Sequence, residues 1–255
     1  RRRQRLQDLR HNMLRRHESL RTVFTAIDGN PCQKVYEKID FQVEFSDLTA
    51  ENHPREAARK LATEHAERPF DLEKGPLLSV ALLKLSDARH VLLVNMSHII
   101  SDGWSVGVMI REFCLLYEAF LEGRESPLSP LRIQYRDYAV WQRDILESDE
   151  IETHRAYWLE KLAGDIPVLD FPGDYPRPPV QTFNGRTLFF TLSPDQTQAL
   201  GELARNQGVS LFMTLLAMLK VLFFRYTGQA DIIIGSPTAG RFHADLEDQI
   251  GYYLN

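Results

Sequence analysis

A histidine and an aspartate stand together where an apolar run stops. The run is His-Val-Leu-Leu-Val-Asn-Met, residues 90–96, and Ser97-His98-Ile-Ile-Ser-Asp102-Gly103-Trp104 follows it directly. An imidazole titrates near neutral pH, so His98 at a strand exit can accept or hold a proton. Strand ends that open into glycine-bearing loops are where rigid scaffolds display functional groups. Asp102 follows in the same loop. A chain that turns back brings it near the imidazole, or lets it anchor the loop through an arginine. Gly103 permits a tight bend or the close approach of a ligand. By position alone, His98 reads as either a structural loop histidine or a catalytic one. Ser97 does not complete a nucleophile–base pair with it, because neighbours on a strand point to opposite faces. The chain also lacks the Gly-x-Ser-x-Gly elbow of serine hydrolases.

Other candidate sites are weaker. Gly235 to Arg241, Gly-Ser-Pro-Thr-Ala-Gly-Arg, has the glycine spacing of a phosphate loop. Arg241 stands where that loop needs lysine, and Phe242 where it needs a hydroxyl for magnesium. It reads as a structural glycine turn. Tyr135, Tyr138 and Trp141 repeat at three-residue spacing, the packing face of a helix. Cys32 and Cys114 are far apart, with no Cys/His ligand spacing, so neither a disulfide framework nor a metal site is expected. Both thiols are expected to be buried.

The 255 residues are long enough for one large domain or two smaller ones. A net charge of −5 argues against a nucleic-acid binder, which carries a basic excess. The opening arginines precede Leu6, Leu9, Met13 and Leu14 at helical spacing and read as the solvated side of a helix over 4–18. No apolar run reaches the roughly 18 residues of a membrane span.

Several elements must position the loop. Leu20 to Ile27 reads as a strand stopped by Asp-Gly-Asn-Pro, and Phe41, Val43 and Phe45 alternate as a half-buried strand does. A helix over 51–66 places Ala57, Ala58, Leu61 and Ala62 inward. Two strands joined by Ser-Asp-Ala-Arg lead to His98. A helix over 104–121 then shares Val108, Phe113, Leu116 and Phe120 on one face, and helices over 134–147 and 151–162 follow. Five prolines between Ile166 and Val180 exclude both helix and central strand. Beyond them, 186–192 reads as a strand. Ser193-Pro-Asp-Gln opens a capped helix, residues 210–228 read as a buried helix, and 230–236 as a strand. The class is α/β, with mixed sheets and helices in two lobes.

Four motifs occur in the order found in the condensation domains of nonribosomal peptide synthetases, and the chain resembles that family over nearly its whole length. Arg16 to Phe24, Arg-His-Glu-Ser-Leu-Arg-Thr-Val-Phe, is similar to the segment RHExLRTxF. Ser97 to Ser105 is similar to HHxxxDG with its usual continuation. Tyr135 to Trp141 resembles YxDFAxW, and Ile250 to Asn255 resembles the start of IGxFVNT. The resemblance implies two lobes, each like chloramphenicol acetyltransferase, arranged as a V around a tunnel. It places an N-terminal lobe at 1–165, a proline-rich linker at 166–185 and an incomplete second lobe at 186–255. The family's first motif is then expected before Arg1, and most of the second lobe after Asn255.

The resemblance also implies an activity. Carrier domains bring a donor acyl or peptidyl thioester and an acceptor aminoacyl thioester on phosphopantetheine arms, and an amide forms. The domain itself binds no cofactor. Upstream and downstream peptidyl carrier domains and a neighbouring adenylation domain are the implied partners, in a cytoplasmic synthetase. His98 matches the histidine assigned the catalytic role. Ser97 replaces the supporting first histidine. Asp102 matches an aspartate whose role is structural, in a pair with arginine, for which Arg16 and Arg241 are the candidates. Gly103 and Trp104 fall at the substrate passage. The Trp-Ser continuation favours amide formation over epimerisation. A non-catalytic docking module, which Ser97 and the missing second lobe feed, and an epimerisation-type relative are the alternatives.

Overall fold

The computed structural model describes Leu9 and residues 11–176, 178–182 and 184–255. Two compact units emerge. One takes in the chain as far as Thr153 and returns at Pro237–Asn255; the other is His154–Ser236. Residues 237–255, placed by the sequence in an incomplete second lobe, thus pack with the first unit.

The first unit opens with helical residues 11–16. Leu9 and Met13 are buried; the arginine face expected at 1–8 lies outside the described residues. A 3-10 turn at Glu18–Arg21 leads into β1, Thr22–Ile27. The turn at Asp28-Gly29, both with positive φ (52° and 80°), folds the chain back into β2, Asn30–Val35, which pairs antiparallel with β1. Two consecutive positive φ values suit a tight hairpin. The sequence gives no signal for β2, because Pro31 sits inside it. Proline is tolerated there because β2 is the outer strand of a two-stranded ribbon.

The second sheet carries the loop of interest. Its order is β3-β4-β5, with β3 at Val43–Asp47, β4 at Leu78–Lys84 and β5 at His90–Met96. β3 and β4 are parallel, joined through helix α1, Pro54–Ala66; β4 and β5 form an antiparallel hairpin. Alternation along the strands divides the sheet into two faces. Leu83, Val91 and Leu93 meet Ala57, Ala58 and Leu61 of α1. Leu78, Val80 and Met96 join the larger core with helix α2, Gly103–Leu121, through Val108, Phe113 and Leu116. The helix–sheet–helix layering therefore fixes both flanks of the β5 exit. Phe45 is 40% exposed, so the alternation expected from Phe41 holds only in part.

α3 (Tyr135–Leu146) and α4 (Glu150–Lys161) follow as expected. Tyr138 is buried, with Tyr135 and Tyr253 against it, while Trp141 stays exposed. Neither thiol is buried. Cys32 lies on the ribbon's outer strand, and Cys114 lies off the buried stripe of α2.

In the second unit the Gln229 side chain ties the proline-rich segment, accepting from Asp170 N (2.9 Å) and donating to Val168 O (2.9 Å). α5, Pro194–Asn206, has the expected capping box of Ser193 and Gln196. α6, Leu211–Thr227, is capped by Ser210 and closed by Gly228 at φ 71°. α6 is a helix but not a buried one, since Phe212 and Val221 are each 58% exposed and Thr214 alone is buried. The strands expected at 186–192 and 230–236 do not form among the described residues, and Phe189 is 93% exposed. A strand needs a neighbour to take its backbone hydrogen bonds, and no described strand lies beside either segment. No single helix among the described residues is long and apolar enough to cross a membrane.

Candidate functional site

The β5 exit is held at three points. Ser97 N donates to Leu77 O (2.9 Å), extending the ladder one step beyond β5. His98–Ile100 forms one 3-10 turn, and Ile100 plugs the main core at 1% exposure. Asp102 then caps α2, its Oδ1 accepting from Ser105 N at 2.8 Å. Between these anchors His98 is exposed. Among the described residues its imidazole has no hydrogen-bond partner; it packs T-shaped against Tyr252, with ring centroids 5.3 Å apart. Ser97 is half-buried beside it.

Asp102 does not back the imidazole. Its carboxylate is committed to a buried hub. Arg241 Nη2 donates to Oδ1 at 3.1 Å, Tyr253 N donates to Oδ2 at 3.2 Å, and Ser105 Oγ lies 2.7 Å from Oδ1. Both side chains of the ion pair are almost fully enclosed, 1% exposed for Arg241 and 0% for Asp102. Burial pushes the Asp102 pKa up. The hydrogen bonds from Ser105 and Tyr253 and the charge of Arg241 outweigh it, so the carboxyl sits below its ordinary range. Arg241 also donates through Nη1 to Leu246 O and to Gln249 O (2.8 Å), and its guanidinium lies 4.1 Å from the Tyr253 ring centroid. Gly240 has φ 65°, and a Cβ there would lie 1.8 Å from Tyr253 O. The glycine turn thus lets the backbone approach closely enough to seat Arg241, rather than cradling a phosphate.

Arg16, the other candidate partner, goes elsewhere. Its Nε donates to Glu112 Oε1 (2.8 Å), and a second nitrogen donates to Ser129 O. Glu112 Oε2 lies 2.7 Å from His17 Nε2, and Ile250 N donates to His17 Nδ1 at 3.4 Å. That pattern puts the His17 proton on Nε2, where it faces the carboxylate. Burial raises the Glu112 pKa, but His17 and Arg16 together draw it below the usual range. Trp104 is 47% exposed, with its indole N–H donating to Glu247 O (2.8 Å) in the short helix α7, Ala244–Glu247. Gly103 is exposed, and a Cβ there would meet nothing within 4 Å. Among the described residues, no three His, Cys, Asp or Glu side chains gather as a metal cradle.

The sequence profile of the family described as "Condensation domain" matches residues 2–255. This chain belongs to the condensation domain family. The domain is 43% identical over 95% of its length to bacitracin synthase 2 of Bacillus licheniformis, and 44% identical over 95% of its length to one of the linear gramicidin synthase proteins of Brevibacillus parabrevis. It spans only 9% and 3% of those two proteins. Among solved structures it resembles the X-domain from teicoplanin biosynthesis, with TM-score 0.85, 27% identity, and 98% of this chain covering 56% of that one. The same X-domain in complex with OxyB gives TM-score 0.84 at 25% identity, with 99% of this chain covering 56%.

Within this condensation domain, sequence reasoning missed Glu112, His17, Ser105, Tyr252 and Tyr253. Glu112 had a readable signal. It falls on the stripe of α2 between Val108 and Leu116, and a carboxylate on an apolar stripe demands a buried partner. The two tyrosines carried no such signal, because their roles depend on backbone bonds made at a distance in sequence of about half the chain or more (Tyr253 N to Asp102, Tyr135 Oη to Tyr252 O).

Proposed function

We propose that this chain catalyses amide-bond formation between a donor acyl or peptidyl thioester and an acceptor aminoacyl thioester, both delivered on phosphopantetheine arms of peptidyl carrier domains. The acceptor amine attacks the thioester carbonyl carbon. A tetrahedral intermediate forms, the thiol of the donor arm leaves, and the nitrogen gives up one proton. His98 orients the amine or takes that proton. The observation that carries this reading is an exposed imidazole with no hydrogen-bond partner among the described residues, on a short loop pinned by Ile100 and by the buried Asp102–Arg241 pair. Its share as a base is modest, about 100- to 10,000-fold, because a neutral amine is already a good nucleophile toward a thioester. Holding two tethered substrates in register supplies more.

In the same reading Asp102 and Arg241 are scaffold, and Gly103 and Trp104 border the substrate passage. Ser97 stands in a supporting position, and Arg16 serves the core through Glu112. By the family resemblance the chain divides into an N-terminal lobe at 1–165, a linker at 166–185 and the opening of a second lobe at 186–255, of which 237–255 return to pack with the first unit. An adenylation domain is the expected neighbour, in a cytoplasmic synthetase. His98→Ala in the full-length protein should lower the rate in a two-carrier condensation assay at least about tenfold. An unchanged rate would remove the reading.

A second reading has specific support. Ser97 departs from the paired histidines, and the likeness to an X-domain solved in complex with OxyB favours a docking module that recruits another protein. It requires that His98→Ala leave partner binding and product formation untouched.

A further inference from the structure

His98 poses a positioning problem. Its imidazole has no hydrogen bond to a described residue, sits at the first position of a short turn and faces solvent. Such a side chain is free to change rotamer, yet a group that must meet an amine needs one orientation. The ring packed against it belongs to Tyr252, T-shaped at 71° between planes.

The backbone that carries Tyr252 is immobilised residue by residue. Ile250 N donates to His17 Nδ1 (3.4 Å), and Ile250 O accepts from Ser19 Oγ (2.7 Å). Gly251 N donates to Ser105 Oγ at 3.1 Å, and Gly251 O lies 2.9 Å from the same hydroxyl. Tyr252 O accepts from Tyr135 Oη (2.7 Å), and burial pushes the Tyr135 pKa up to about 12, so that hydroxyl remains a donor at any physiological pH. Tyr253 N donates to Asp102 Oδ2 (3.2 Å). Gly251 has no room to change, since a Cβ there would lie 2.3 Å from the Tyr135 ring. Asp102 and Ser105 hold the strap at 250–253 and also the start of α2, directly after the His98 loop. One carboxylate and one hydroxyl thus tie the two pieces of backbone together. The Tyr252 side chain itself remains 42% exposed.

We infer that Tyr252 is a positioning residue for His98: its ring, held by the bolted strap, keeps the imidazole in one orientation toward the substrate. The inference rests on the proposed role of His98 in amide formation. The ring matters and the hydroxyl does not, which separates two substitutions at an exposed position where neither threatens folding.

The test uses the full-length protein. Carbethoxylation of His98 by diethyl pyrocarbonate, followed by peptide mass spectrometry, reads how well the imidazole is shielded. Condensation kinetics read the consequence. Losing an aromatic contact of this kind is expected to raise His98 reactivity about two- to tenfold in Tyr252→Ala. The same variant should lower kcat by a similar factor while KM for the acceptor carrier stays put, and Tyr252→Phe should match the parent in both. In a His98→Ala background, Tyr252→Ala should add no further loss. Unchanged His98 reactivity in Tyr252→Ala overturns the inference whatever the kinetics do. Raised reactivity with unchanged kcat, where His98→Ala is itself impaired, also overturns it. If His98→Ala shows no loss, it is the amide-forming role of His98 that falls, and the reactivity arm still decides the contact.

Discussion

His98 and His17 make opposite use of the same side chain. His17 is 1% exposed and bonded at both ring nitrogens, to Glu112 on one side and the Ile250 amide on the other. His98 is exposed, packs on the Tyr252 ring, and has no hydrogen-bond partner among the described residues. The two carboxylates nearby divide the work in the same spirit. Glu112 satisfies its histidine, whereas Asp102 turns away from its own and binds Arg241, Ser105 and the Tyr253 amide. The fold thus invests buried charge in holding the loop and the strap, and leaves the His98 imidazole without a hydrogen-bond partner among the described residues. A dyad geometry would have made Asp102 part of the chemistry; this geometry makes it part of the frame.

The largest expected effect falls on the hub. Asp102→Asn leaves the Arg241 guanidinium buried without its counter-charge, which typically costs about 3 kcal/mol or more. A lowered melting midpoint and reduced soluble yield, with activity falling alongside, is the expected pattern. Normal melting with no turnover would move Asp102 from the frame to the chemistry. Glu112→Gln comes next, at about 1.5–3 kcal/mol, because Arg16 is partly exposed and can turn to water.

Both carboxylates also set an acid limit. Each has a folded pKa below its unfolded value. Their stabilisation is therefore fully present above the unfolded carboxyl range, about pH 4, and is lost as pH falls through the folded pKa. Chemical denaturation at successive pH values should show a shallower acid decline in either variant than in the parent. Equal slopes would mean that neither carboxylate is linked to folding. The smallest effect is expected at Ser97. Ser97→His adds bulk beside a loop whose half-buried hydroxyl has no described hydrogen-bond partner, and the rate should change by less than about tenfold in either direction. A hundredfold rise, about 2.7 kcal/mol of transition-state stabilisation, would show that the missing histidine had crippled the site and would favour the docking reading.

The site's skeleton was legible where periodicity and local chemistry decide it. The end of the apolar run at 90–96 and the α2 stripe located the exit loop, and the family resemblance, with the need of a buried aspartate for a cation, offered Arg16 and Arg241 as its partner. Choosing between them needed the fold, because Arg241 reaches Asp102 only after the chain has returned past Gly240 to the first unit. The second unit was read less well for a related reason. An apolar pattern states that a segment can be buried, not what covers it. The 186–192 segment leaves its apolar side chains largely exposed, and α6 leaves many of its own half-exposed although Phe171 packs on Phe223 and Tyr226.

The central claim is that the loop separates frame from chemistry, and the rate of amide formation by His98→Ala, measured on protein shown to melt near the parent's midpoint, tests it most directly. His98 is exposed and packs on the Tyr252 ring, so its truncation should cost no more than about 1.5 kcal/mol of stability. The expected result is a variant that still folds, with a melting midpoint near the parent's and a rate lowered at least about tenfold. A parent-like rate, or a rate lost only because the variant has unfolded, would contradict it.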